Sequence, residues 1–265
     1  MKIFPHATHI MFVVLLLVGC QKEQLGFRSV TCRSVDCLDT TDTASSPRIE
    51  TVIDMEFAVS DTHSSENVSD VINACVIEKA FDMQLKDPDM AADAYIHQQV
   101  ERYRAEMLDL YRQHKDKETS ELFLALDETH QIIGRVSRGR EGFIGYVIQE
   151  TDMTGAAHPY HCTTYLNFDE KTGNAVELGD IFLESKMTQL SDILLDKLME
   201  KCGVQTLQQL NDAGYLTQTD MTPSRLFLLE KDSVSFFYNE YDIAPYSTGP
   251  TEIKVSCEEL KGVMK

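Results

Sequence analysis

What constrains this chain most is the order in which its hydrophobic period changes. Residues 49–59, IETVIDMEFAV, alternate and set Ile53, Met55, Phe57 and Val59 on one side, which predicts a strand. Residues 66–82 carry Val68, Val71, Ile72, Cys75 and Phe81 at helical spacing. Asp87 then serves as N-cap with Pro88 at the first helical position. The helix from there to about His114 bears Ile96, Val100, Tyr103, Met107, Leu110 and Tyr111 as a core stripe. Period two returns at 121–126, 132–137 and 143–150. A strand, two helices and a meander form an α+β pattern rather than a parallel βαβ array.

The second half repeats the theme. Residues 161–168 alternate, Asp169 to Gly173 reads as a hairpin turn with Gly where φ is positive, and 175–178 returns. A helix over about 187–202, a short helix near 205–212, a hairpin from 225–230 to 234–239, a strand at 251–256 and a short terminal helix from Glu258 follow. No repeat of fixed period is present. The expected architecture is α+β, with antiparallel sheets flanked by helices in two sequential subdomains packed together, 48–155 and 156–265.

The first twenty residues read MKIFPHATHIMFVVLLLVGC. Lys2 provides a positive start, and Ile10 to Val18 form an apolar run too short to span a bilayer, which needs about 20 apolar residues. That is the build of a secretory signal. Leu17-Val18-Gly19-Cys20 fits Leu-x-Gly/Ala-Cys and resembles the lipobox of bacterial lipoproteins. Cleavage after Gly19 would leave 1–19 as signal peptide and Cys20 as the lipidation site, with two or three acyl chains giving a stable anchor. Residues 20–47, rich in Ser, Thr, Asp and Arg, read as a flexible lipidated tether. The expected location is the cell membrane or outer membrane, lipid-anchored and facing periplasm or exterior.

Six further cysteines remain, and an exported chain is free to pair them in any of 15 ways. Cys32 and Cys37 are close enough in sequence for a local loop disulfide. Lys plus Arg is 24 against 43 for Asp plus Glu, a net charge of −19. That argues against nucleic acid as a partner and suits a cationic visitor. No GxSxG, HExxH, P-loop or other cofactor motif occurs, so no cofactor, metal or catalytic residue is assigned. His158 and His161 point to opposite faces of an extended chain, and no third ligand accompanies them.

Several stretches occur together: Gly155-Ala156-Ala157-His158-Pro159, Tyr165-Leu166-Asn167-Phe168-Asp169, Thr172-Gly173, Leu178-Gly179-Asp180-Ile181-Phe182, and Tyr241-Asp242-Ile243-Ala244-Pro245-Tyr246 with Gly249-Pro250. Over roughly residues 48–260 this resembles the pair of bacterial envelope domains called domain of unknown function 4163 and domain of unknown function 3298. Such domains form the extracellular, lysozyme-binding part of the anti-sigma-V factor and precede the catalytic domain of a peptidoglycan deacetylase. The resemblance implies a non-catalytic recognition module. This sequence shows no sigma-binding segment, spanning helix or deacetylase domain, so the expectation narrows to an anchored module for a lysozyme-like cationic protein or for peptidoglycan. Candidate binding residues are His158, Tyr241 and Tyr246, because the Pro-stiffened 241–250 loop offers Tyr contact area with a polar tip. The alternatives are a peptidoglycan-active enzyme using His158 and Asp169 as acid and base, and a structural assembly lipoprotein.

Overall fold

The computed structural model describes residues 25–44, 46–59, 67–115, 125–155 and 158–265. It is α+β, as the periodicity predicts. One sheet holds five strands in the order β1 (Gly26–Cys37), β2 (Arg48–Val59), β3 (Glu128–Ser137), β4 (Phe143–Thr154) and β5 (Tyr160–Asp169). The second holds β6 (Phe227–Leu229), β7 (Ser233–Tyr238) and β8 (Thr251–Ser256). The helices are α1 (Asn67–Phe81), α2 (Pro88–His114), α3 (Leu178–Ile181), α4 (Met187–Cys202) and α5 (Leu207–Asp212).

All strand pairs are antiparallel except β2 and β3. The sequence reading foresaw no parallel pair. α1 and α2 lie between these strands, so the connection is a crossover rather than a hairpin, and β3 re-enters beside β2 in the same direction. α1 and α2 cover that face of the sheet. Ile53, Met55 and Phe57 of β2 meet Ile72, Val76 and Ile77 of α1 and Ala91 and Ala92 of α2 in one buried cluster. Burying each large side chain contributes about 1.5–3 kcal/mol. Asp87 caps α2 as expected, accepting from the Met90 amide at 2.9 Å. Gly134 of β3 lies under this layer. A Cβ there would stand 2.4 Å from Tyr146 Oη and 2.8 Å from Met55 Cε.

Much of the segment expected as a tether, 20–47, is ordered structure. Gly26–Cys37 is strand β1, paired residue by residue with β2 from Gly26↔Val59 to Cys37↔Arg48. Its polar composition is that of an edge strand stabilised by charges. Arg33 bonds Glu50 at 2.7 Å across the pair, Arg28 bonds Asp89 of α2 at 2.5 Å, and Asp36 accepts from Arg104 of α2 at 2.5 Å. The expected Cys32–Cys37 disulfide does not fit either. On one extended strand they face opposite sides, and five residues of strand separate their Cα atoms by about 16 Å, far beyond disulfide reach. Both are free thiols.

Smaller departures are confined to short segments. Residues 121–124 lie outside the described residues, and Ala125 and Leu126 are helical. Residues 175–178 make a single bridge, Phe168↔Ala175, before α3 starts at Leu178. The terminal segment is turns rather than a helix, with Leu260 and Val263 buried. The 169–173 turn is as expected: Gly173 has φ +73, and a Cβ there would lie 2.7 Å from Val68 O. The expected division at 155/156 separates β4 from β5, which are hydrogen-bonded neighbours in the first sheet.

α4 packs Leu190, Leu194 and Leu198 on one face of the second sheet, against Phe227, Phe236, Ile253 and Val255. The other face meets the outer side of β4 and β5, where the Tyr165 and Phe237 rings lie 5.2 Å apart. Asparagine amides hold strand groups that no neighbouring strand reaches. Asn167 Nδ2 donates to Phe227 O at 2.7 Å while its Oδ1 accepts from Leu229 N at 2.9 Å. Asn239 brackets Thr163 of β5 in the same way at 2.8 and 3.0 Å, and Asn73 of α1 brackets Ala58 of β2 at 2.9 Å on both sides. Each amide offers one donor and one acceptor in the geometry of a missing strand.

Candidate functional site

The connection from β7 to β8 is built around a short buried anchor. Ile243 and Ala244 are buried, while Tyr241 is 71% exposed with φ +71. The turn is closed by Tyr241 N donating to Ala244 O at 2.9 Å and by Asn239 N donating to Asp242 Oδ2 at 2.7 Å. Beyond it, Tyr246 opens a 3₁₀ turn, Tyr246–Thr248. Packing Ile243 inward throws Tyr241 outward. A non-glycine residue in the left-handed region is uncommon and strained, and marks a segment that the surrounding structure holds in place.

Opposite this loop, the chain enters β5. His158 stacks on Tyr246 with centroids 5.4 Å apart and an interplanar angle of 27°. Tyr246 Oη donates to Pro159 O at 3.4 Å. Tyr241 lies on the same cluster, 6.2 Å from the Tyr246 centroid. The candidate residues His158, Tyr241 and Tyr246 therefore form one surface cluster at the seam between the two sheets. His161 is not part of it and bonds Thr151 Oγ1 at 3.1 Å.

Beside Tyr241 lies an open cleft of about 270 Å³. Thr217, Gln218 and Thr219 line it together with Tyr241, Asp242 and Pro245. Leu216 N donates to Ile243 O at 2.8 Å and ties the two segments together. Leu216 also has positive φ, +52.

The enzyme alternative needed His158 and Asp169 to converge. His158 lies two residues before β5 and Asp169 ends it, and the strand between them alone spans about 30 Å at strand rise. Asp169 instead caps its turn. Partial burial pulls its carboxyl up, but the Thr172 amide and hydroxyl and the Lys171 amide outweigh that and hold it below the usual carboxylate range. Among the described residues no group of three or more His, Cys, Asp or Glu could hold a metal ion. No described helix is long and apolar enough to cross a membrane. Cys20, the expected lipidation site, lies outside the described residues.

Sequence reasoning missed one titratable network. Glu128 and His130 extend β3 before its expected start, in phase with Ile132, so they face α2 and are buried. Arg102 of α2 donates to Glu128 at 2.5 Å, and His130 bonds Asp152 at 2.7 Å and Glu128 at 3.3 Å. Burial pushes the His130 pKa down, but the Asp152 and Glu128 carboxylates outweigh it and raise it to about 9. Glu150, on the same face, is raised to about 7 by burial and by Asp152. The in-phase polar positions were the signal. Arg102 also approaches His130 Nε2 at 3.0 Å, which opposes the rise in the His130 pKa, so it is the carboxylates of Glu128 and Asp152 that tie Arg102 of α2 and His130 of β3 together.

Residues 179–258 match the model of a family described as a protein of unknown function (DUF3298). The match includes the DIF and YDIAPYSTGP motifs and starts after β5. A crystal structure of a DUF3298 family member from Bacteroides fragilis is 28% identical, covers 91% of this chain and 94% of its own, and superposes with TM-score 0.81. A DUF3298 family protein from Pseudomonas aeruginosa is 15% identical over 92% of this chain and 95% of its own, with TM-score 0.59, and shares the fold. No curated protein matches the chain.

Proposed function

We propose that this chain, which carries a DUF3298 domain on an α+β body, is a membrane-anchored envelope lipoprotein whose folded part is a non-catalytic ligand-binding module. The observation that carries the reading is the convergence of His158, Tyr241 and Tyr246 into one aromatic cluster beside an open cleft. Aromatic rings grouped at a surface, with one of them 71% exposed, are costly to leave in water and serve as contact area. The anchor rests on Leu17-Val18-Gly19-Cys20. With β1 starting at Gly26, the span from Cys20 reaches at most about 20 Å, so the body would lie close to the bilayer. A lysozyme-like cationic protein and peptidoglycan are the two ligand classes in view, the first favoured by the charge of −19.

Two measurements test this. Cys20→Ala is expected to move the protein from the membrane fraction to the soluble one and to abolish incorporation of a fatty-acid analogue. Tyr241→Ala is expected to remove ligand capture without changing the thermal midpoint. Membrane retention of Cys20→Ala, or capture indifferent to Tyr241, would overturn the respective half of the proposal.

A further inference from the structure

The cleft beside Tyr241 allows a sharper statement, one that rests on the aromatic cluster being the contact surface. We infer that this cleft takes a pyranose ring of an uncharged amino-sugar oligosaccharide, lying against the Tyr241 ring with its hydroxyl and acetamido groups bonded across the cleft.

Size comes first. About 270 Å³ is just under the range of small-molecule sites, and it suits a single sugar ring. A protein partner instead needs about 800 Å² on each side, and a concavity of this size supplies a small part of that. Chemistry comes second. A pyranose ring has faces of C–H groups and an equator of hydroxyls. The cleft offers the same division: Tyr241 and Pro245 supply apolar area, while Thr217, Gln218 and Thr219 supply hydroxyl and amide groups that both donate and accept. Charge comes third. Asp242 is the one acidic residue lining the cleft, with no basic residue beside it in the lining and a chain net charge of −19, so an anionic ligand is disfavoured.

Preorganisation comes fourth. Leu216 and Tyr241, one in each of the segments that form the cleft, both have positive φ, and the Leu216–Ile243 bond fixes those segments relative to each other. Tyr246, itself stacked on His158, neighbours Tyr241 on the side of β5. Backbone segments fixed in this way lose little freedom on binding.

The test is calorimetric titration of the full chain, in micelles of a detergent without a sugar headgroup, with hexa-N-acetylchitohexaose and separately with lysozyme. Each titration is run at about 0.05 M and about 0.5 M salt, where screening differs several-fold. The variants are Tyr241→Ala and Tyr241→Asn, the latter because Asn tolerates the left-handed conformation. The expected result is saccharide binding that changes by less than about two-fold with salt and weakens at least about ten-fold in both variants, with thermal midpoints like the parent's. No saccharide binding, or binding indifferent to Tyr241, overturns the inference. If lysozyme alone binds, with loss in Tyr241→Asn and at high salt, the cluster stands as the contact surface and the ligand class is wrong. If neither ligand depends on Tyr241, both readings fall.

Discussion

Replacing Asn167 by Ala tests how the two sheets are joined. The Asn167 side chain is 98% buried and bonds Phe227 O and Leu229 N, the outward groups of edge strand β6. Alanine leaves a buried carbonyl and a buried amide without partners, each costing about 1–3 kcal/mol, so about 3 kcal/mol is expected after partial relaxation. For a domain of this size that lowers the melting midpoint by about 6–12 °C. Circular dichroism during thermal and urea unfolding reads it, with an unchanged urea slope showing that the folded body is intact. Asn167→Asp sharpens the test. An ionised carboxylate can still accept from Leu229 N but cannot donate to Phe227 O, whereas a protonated one can. Its deficit is therefore expected to shrink on acidification toward pH 4. Exposed Asn174→Ala serves as control, within about 0.5 kcal/mol of the parent. A loss below about 0.5 kcal/mol for Asn167→Ala as well would refute the view that this amide stands in for a strand.

Gly134→Ala forces a methyl group against Tyr146 Oη and Met55 and is expected to cost about 1–3 kcal/mol in the same unfolding assay. The His130 pKa is raised from its unfolded value near 6.5 to about 9, so its stabilisation is complete below pH 6.5 and lost as pH rises toward 9. His130→Gln should flatten the stability profile across that window. Glu150 holds its proton in the folded state up to about pH 7, well above its unfolded pKa, so its contribution falls as pH rises from about 4.5 to 7. Glu150→Gln should remove that decline and gain stability relative to the parent at pH 8. Thiol labelling of the denatured chain without reductant should modify both Cys32 and Cys37; protection of the pair would contradict the strand geometry of β1.

Elements that bury one clean face were legible in the sequence. α2 with its Asp87 cap, α4 with its leucine stripe and β8 all lie within a residue of their expected spans, because their periodicity and capping are local. β1 was hidden because its stability comes from partners far along the chain, Glu50, Asp89 and Arg104, and not from its own apolar content. The parallel β2–β3 pairing was hidden for the same reason: nothing local to either strand states its direction. At the candidate site, the Tyr residues and the Pro-stiffened loop were readable. The stacking of His158 on Tyr246 across 88 positions, and the wall formed by residues 217–219, are products of the tertiary fold.

The parallel pairing also sets an order in time. β1 with β2, α1 with α2, and β3 through β5 are each joined by short-range contacts and are free to form early. Joining Ile49 to Glu128 closes a loop of roughly 80 residues, at an entropic cost of about 4 kcal/mol. The first sheet would then be completed last at its centre, with both flanks already folded. Pulse-labelling hydrogen exchange during refolding should protect the flanking ladders before the central one. Until that step the inner edges of β2 and β3 stand open, and it is there that a nascent chain of this protein is most exposed to pairing with the wrong neighbour.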